Sequence, residues 1–262
     1  MNDAAACARR IHELYADDLR GEAGLLHVAV VWRSPERDLI NIAMNDAKPA
    51  SPTDDFVLGV ARARADAIIT TGANLRLERN LTHAYHPDTQ TADALACWRR
   101  EVLGKDEAPL SVVLTRDTAI DLEHRLFQHA QRSLVFTGEG ATSVLRDRSR
   151  AEGLVLVGDA APDLAGLFYH LRRREGCATL SVEAGPSTAR ALYGAEGPRV
   201  DELMLSLCLE PDLAPRARAG PFVEVESIEA LLGPAASRCE VEEPSGRWSF
   251  RRYRRGSPGR SK

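Results

Sequence analysis

The sequence predicts an α/β fold, with a mostly parallel central sheet flanked by helices and antiparallel strands at its carboxyl end. Three observations carry this expectation. Continuous apolar, β-branched runs such as residues 25–32 (LLHVAVVW) suit strands buried on both faces. Amphipathic stretches separate the early runs, and strand–helix–strand alternation calls for parallel crossovers. Beyond residue 200 the runs follow one another with no long helix between them, the pattern of antiparallel pairing.

The elements follow in order. Residues 1–22 read as a helical extension, because Ala8, Ile11, Leu14, Tyr15 and Leu19 recur at helical spacing. Residues 25–32 are the first strand. Thr53 or Asp54 is placed to cap a helix that reaches Ala65. Strands follow at 67–71, stopped by Gly72, and at 110–114, 133–137 and 154–157. Pro162-Asp163 opens a helix with Leu164, Leu167, Phe168 and Leu171 on one face. It ends in Arg172–Arg174 and Gly176, cations and then glycine. A strand at 178–182 runs into Glu183-Ala184-Gly185-Pro186-Ser187-Thr188 and a short helix to Leu192. Strands at 200–209, 222–225, 238–241 and 248–253 complete the chain, with a helical turn at 227–232. Residues 78–105 are poorly patterned and read as a lid or an insertion. The expected organisation is the extension over 1–22, an α/β domain over 23–253 and a flexible basic tail over 254–262.

With 262 residues, 44% hydrophobic, the chain can bury a substantial core. Its net charge of −4 argues against a nucleic-acid partner, which needs a broadly basic surface. Arg247, Arg251, Arg252, Arg254, Arg255 and Arg260, with Trp248, Phe250 and Tyr253 between them, read as an edge strand with one wet face. No apolar run approaches the roughly 18–20 residues of a membrane span, and the start lacks a basic-then-apolar leader. The expectation is a cytoplasmic protein without a membrane partner. Cys7, Cys97, Cys177, Cys208 and Cys239 have no CxxC spacing and read as reduced thiols, so no metal is expected. Neither H-x-E nor P-C-x-x-C, the deaminase zinc signature, occurs.

Three turns at strand ends could cradle a phosphate: 70–76, 137–142 and 183–188. In each, glycine lets backbone approach closely and the next helix opens with free amides. None matches GxGxxG with its acidic partner or a Walker A loop.

The order of four segments is more specific. Arg62-Ala63-Arg64-Ala65-Asp66-Ala67-Ile68-Ile69-Thr70-Thr71-Gly72-Ala73-Asn74 comes first. Pro109-Leu110-Ser111-Val112-Val113-Leu114-Thr115, through Leu126-Phe127, is second. Val182-Glu183-Ala184-Gly185-Pro186-Ser187 is third, and Val200-Asp201-Glu202-Leu203 is fourth. Together they resemble the reductase domain of riboflavin biosynthesis, the carboxyl-terminal half of bifunctional deaminase–reductases. The resemblance implies a dihydrofolate-reductase-like fold and NADPH as cofactor. It implies a small pyrimidine nucleotide-like substrate, a ribosylamino-pyrimidine phosphate reduced to its ribitylamino product, and a homodimer. It places the nicotinamide near Thr71, Gly72, Ala73 and Asn74, and the cofactor phosphates near Gly185, Pro186 and Ser187. Glu183 is the implied acidic residue that positions substrate or a ribose hydroxyl. The family's S-x-D-G turn is replaced by Trp32-Arg33-Ser34-Pro35-Glu36-Arg37-Asp38, where Asp38 or Glu36 stands in for the family's aspartate. Its threonine after G-A-x is Leu75. These departures motivate an alternative: a degenerate reductase-fold protein that binds a nucleotide or a partner without hydride transfer.

Overall fold

The computed structural model describes residues 3–36, 38–148, 153–194 and 199–256. In chain order the first half comprises α1 (Asp3–Tyr15), β1 (Leu25–Arg33), β2 (Leu39–Ile42), α2 (Pro52–Arg64), β3 (Ala67–Thr71), α3 (Gly72–Leu77), α4 (Thr89–Glu101), β4 (Leu110–Leu114), α5 (Arg125–His129) and β5 (Ser133–Gly138). The second half comprises α6 (Glu139–Arg148), β6 (Leu154–Asp159), α7 (Leu164–Arg173), β7 (Leu180–Val182), α8 (Pro186–Ala191), β8 (Glu202–Cys208), β9 (Arg218–Pro221), α9 (Val225–Leu232), β10 (Ser237–Glu243) and β11 (Gly246–Arg254).

The strands form one sheet in the order β10-β11-β8-β1-β7-β3-β4-β5-β6. From β8 to β6 every neighbouring pair is parallel. β11 and β10 add antiparallel strands at one end, and β2 and β9 form a side ribbon on β1. This is the mixed α/β architecture that the alternation predicts. The apolar runs are buried on both faces because helices cover both. On one side Leu25, Ile69, Val112 and Phe136 pack with Leu167 and Leu171 of α7 and Ile228 of α9. On the other, Leu26, Met204 and Phe250 pack with Ile11 of α1, Val57 and Val60 of α2, and Trp98 of α4.

Several elements differ from the sequence expectation. Residues 89–101 form α4, capped by the Asp88 side chain on the Thr91 amide. Trp98 and Leu95 are buried, and Arg99 donates to the carbonyls of Ala63 and Ala65, closing the carboxyl end of α2. The expected strand at 222–225 lies instead at β9, four residues earlier, and Val225 opens α9. β2 has no counterpart in the sequence reading. The basic strand is not an edge: β11 lies between β8 and β10, and β10 is the outermost strand. The charges of Arg252 are neutralised by Glu202 of β8 (2.9 Å) and Asp17 (2.6 Å). Arg64 of α2 reaches the same Glu202 carboxylate at 2.5 Å. The expected tail from residue 257 onward, including Arg260, lies outside the described residues.

Glu202 is completely buried and serves two arginines. Its conversion to glutamine removes the counter-charge of Arg64 and leaves Arg252 with Asp17 alone. Breaking a buried pair by removing one partner costs about 3–5 kcal/mol. E202Q is therefore expected to shift the urea unfolding midpoint by that free energy at an unchanged slope; a shift worth under 1 kcal/mol contradicts the assignment.

Candidate functional site

Two hollows open at the carboxyl ends of the parallel strands, the place where an α/β sheet receives its ligands. They arise because β7 is only three residues long. It ends at Val182, opposite His27 in β1 and Ile69 in β3, whereas β1 continues to Arg33 and β3 to Thr71. The turn leaving β7 therefore descends between two longer strands. Its first amide, that of Glu183, still bonds the Ile69 carbonyl (2.8 Å).

The smaller hollow is a cavity of about 310 Å³ whose polar lining includes His27, Asn41, Asp54, Arg62, Glu78 and Glu183. Arg62 meets Glu183 with two parallel bonds, Nε to Oε1 at 2.8 Å and Nη2 to Oε2 at 2.7 Å. Its remaining Nη1 donates to the Ala84 carbonyl. Burial alone raises a carboxyl pKa, but the Arg62 charge and its hydrogen bonds outweigh that and hold Glu183 below the ordinary carboxylate value. Glu78, just beyond α3, has no such partner. Burial first, and then the charge of Glu183, push its carboxyl up to about 7. Lys48 pairs with Asp54 at 2.7 Å and with Asp55 at 3.3 Å. His27 bonds the Tyr193 hydroxyl at 2.8 Å, and burial pushes its pKa down to about 3, so it is neutral at physiological pH.

The larger hollow is a groove of about 610 Å³ on the far side of α3 and α8, lined in part by Thr71, Gly72, Ala73, Arg76, Arg116 and Ser187. The two spaces adjoin where α3 meets the turn after β7. Asn74 donates to Thr70 Oγ1 and to the Glu183 carbonyl, both at 3.2 Å. A side chain on Gly185 would come within 3.4 Å of the Asn74 amide oxygen.

The residues expected from the sequence are thus divided by the structure. Thr71, Gly72, Ala73 and Ser187 line the groove, while Asn74, Gly185 and Pro186 line the cavity with Glu183. Asp38 and Glu36 are exposed in the turn between β1 and β2 and line neither hollow. The structure does not bring Asp38 to Glu183, because β1 carries that turn well past the end of β7. The sequence reading passed over Arg62, Glu78, Asp54 and Lys48 as site residues. For Arg62 a signal exists: it opens the first of the four resembling segments, as a cation between Ala61 and Ala63. Glu78 has no such signal, since its surroundings come from α2 and the β7 turn.

The groove depends on Gly72. A Cβ there would stand 2.7 Å from Thr115 Oγ1 and 3.0 Å from its Cβ, so α3 can start against β4 only without a side chain. Overpacking of this kind costs about 1–3 kcal/mol. G72A is expected to lose that much in urea unfolding, with T115A restoring part of it; parental stability in G72A contradicts the contact.

Comparison with known proteins follows the same geometry. Among solved structures, form 1 of Acinetobacter baumannii RibD superposes with a TM-score of 0.55 at 15% identity, covering 90% of this chain. The chain spans 59% of the length of that protein. A pyrimidine reductase-like protein from Corynebacterium diphtheriae gives 0.59 at 18% identity, covering 90% of this chain and 92% of its own. The riboflavin biosynthesis reductase of Saccharomyces cerevisiae gives 0.55 at 11% identity, covering 94% and 97%. These likenesses speak for the fold. Comparison with curated proteins gives no match. The family model of the RibD C-terminal domain matches residues 41–207, from β2 into β8. That match extends over more than half of the sequence, and the protein belongs to the RibD C-terminal domain family.

Proposed function

We propose that the protein is an NADPH-dependent reductase of the riboflavin-pathway type, reducing a ribosylamino-pyrimidine phosphate to its ribitylamino product. The observation that carries this reading is the adjacency of the two hollows across Asn74 and Gly185. Hydride transfer needs donor and acceptor carbons in contact, and neighbouring sites with one shared wall serve that need. Family membership supports the reductase assignment.

The groove residues fit a dinucleotide. Gly72 lets the backbone lie close against Thr115, and Ser187 and Thr188 offer hydroxyl donors. Arg76 and Arg116 supply positive charge for phosphate oxygens. NADPH, when bound, supplies the hydride. Everything else falls to the chain. Asn74 ties α3 to the β7 turn and keeps the shared wall in place. Arg62 holds Glu183 ionised, so Glu183 accepts a sugar hydroxyl and positions the substrate. An ionised carboxylate cannot deliver a proton, and that task goes to Glu78. Its pKa near 7 leaves it largely protonated below neutral pH, ready to protonate the sugar ring oxygen as its bond to C1 breaks and hydride adds there. Val28, Val30, Leu58 and Leu81 form the apolar side of the cavity and limit water around that transfer. This reading gives Asp38 no part in the chemistry. It favours a cytoplasmic enzyme; among the described residues no helix is long and apolar enough to cross a membrane.

NADPH is expected to raise the melting temperature, by linkage worth about 2.7 kcal/mol at a hundredfold excess over Kd. Loss of reduced-nicotinamide absorbance with a ribosylamino-pyrimidine phosphate tests turnover. Binding without oxidation favours the degenerate, nucleotide-binding reading instead. Where turnover occurs, kcat is expected to fall as pH rises through about 7, because the protonated form of Glu78 is the active one. E78Q is expected to lower kcat by about a hundredfold and to abolish that limb of the profile. A retained limb in E78Q assigns the proton to another group.

A further inference from the structure

His27 is the third residue of β1 and pairs with Val182, the residue before Glu183. It is buried, yet it lines the smaller cavity. Its ring is held by two aromatic neighbours. Nδ1 lies 2.8 Å from the Tyr193 hydroxyl. Phe222 stacks on the imidazole, with centroids 5.8 Å and planes 29° apart, and Tyr193 meets Phe222 edge-on. Nε2 has no hydrogen-bond partner among the described residues. Unlike the Nε2 of His83, it is not sealed off from solvent, and the space beside His27 is the cavity. The hydrogen bond between ring and hydroxyl has two possible directions. Burial keeps the Tyr193 phenol protonated, so it has a hydrogen to place. Were Nδ1 the donor, that hydrogen would be left without an acceptor in a largely enclosed site, which is costly. With Tyr193 as donor, Nδ1 accepts and the ring hydrogen sits on Nε2.

We infer that His27 donates from Nε2 to a carbonyl oxygen of the substrate's pyrimidine ring, and that Tyr193 is the positioning residue that holds this tautomer. The inference deepens the reductase reading above and rests on it for the identity of the substrate. In that reading the sugar oxygens fall to Glu183 and Glu78, on the β7 turn and beyond α3. His27 reaches the cavity from β1, beside Ala29, and is left for the base. A ring carbonyl presents lone pairs alone, so it needs a donor. Burial holds the imidazole neutral throughout the working pH range, so the donor neither titrates nor adds charge to the wall. The tautomer decides the outcome, because the Nδ1–H form turns a lone pair towards the cavity and repels the carbonyl.

Nitrogen-15 NMR of the full chain reads the tautomer without any substitution in the cavity. The expected result is the Nε2–H form of His27, and a mixture of both forms in Y193F. An Nδ1–H form in the parent protein overturns the inference, whatever the protein reduces; an unchanged Nε2–H form in Y193F removes Tyr193 from it. Calorimetric titration with a ribosylamino-pyrimidine phosphate tests the contact, with NADP+ in place of NADPH so that no turnover occurs. A glutamine amide nitrogen reaches the position of Nε2, whereas an asparagine amide reaches only that of Nδ1. H27Q is therefore expected to stay within about threefold of the parental Kd and H27N to bind about tenfold more weakly, the effect of one neutral hydrogen bond. Urea unfolding checks that both variants are folded. Equal weakening in the two variants reveals a packing role and overturns the inference, as does parental affinity in H27N or a parent protein that does not bind the compound. If the two variants separate as expected while NADPH is not oxidised, the reductase reading fails and the His27 contact stands.

Discussion

The paired contact between Arg62 and Glu183 is the constraint on which the site depends. It joins the last turn of α2 to the first residue beyond β7, elements 121 positions apart in sequence, through two short bonds in one plane. A buried ion pair adds little net stability once desolvation is counted. Its effect here is positional and electrostatic. It fixes one wall of the cavity, keeps a negative charge inside it, and that charge helps to raise the pKa of Glu78. Arg62 can do this only if α2 neither slides nor rotates. Arg64, two residues on, is anchored to the buried Glu202, and Arg99 of α4 clasps the carbonyls of Ala63 and Ala65. These anchors hold the final turn of α2 close to the site, while Ser51 and the Lys48–Asp54 pair hold its opening turn.

The second determinant is a difference in strand length. β1 and β3 flank β7 and outrun it, so the sheet has a notch at the carboxyl end of β7. Backbone groups at the notch are satisfied by the turn itself: Glu183 bonds Ile69 through its amide and accepts from Asn74 through its carbonyl. A longer β7 would fill the space in which the Glu183 side chain and the α8 opening now lie. The same notch explains the division of the glycine turns. Gly72 begins a helix that leans over the groove, and Asn74 ties the other turn to α3 through the Glu183 carbonyl.

How much of this is legible in the sequence varies with the physics behind each part. The strands at 25–33, 67–71, 110–114 and 133–138 are legible because burial on both faces demands unbroken apolar residues. α4 is not, because it buries little beyond Leu95, Trp98 and Arg99, too few for a clear stripe. β2 is four residues long and follows a charged turn, so nothing local marks it. β11 misleads for a different reason. Arginines at 251 and 252 look like solvent-facing charges, but Arg252 is drawn inward by Glu202 and Asp17, which come from distant segments. The glycine turns and Glu183 are visible as a motif. The partners that set their chemistry, Arg62 and Glu78, become visible only when α2 and α3 are folded onto the β7 turn.

The same reasoning decides between the two carboxylates that could serve as an acid. A carboxyl holds a proton near neutral pH where water is scarce or another negative charge is close. Asp38 is exposed in the hairpin turn between β1 and β2 and lines neither hollow. Glu78 meets both conditions: it is half-buried at the cavity, and the Glu183 charge acts on it against the weaker opposing pull of Arg62 and Lys48. Glu183 itself cannot take the role, because the bonds that aim it also keep it ionised. Two carboxyls in one cavity with pKa values driven apart by their surroundings is how a single site supplies both a fixed negative charge and a transferable proton. On the proposed reading, the residue at the carboxyl end of α3 takes the acid–base role that the hairpin turn does not fill.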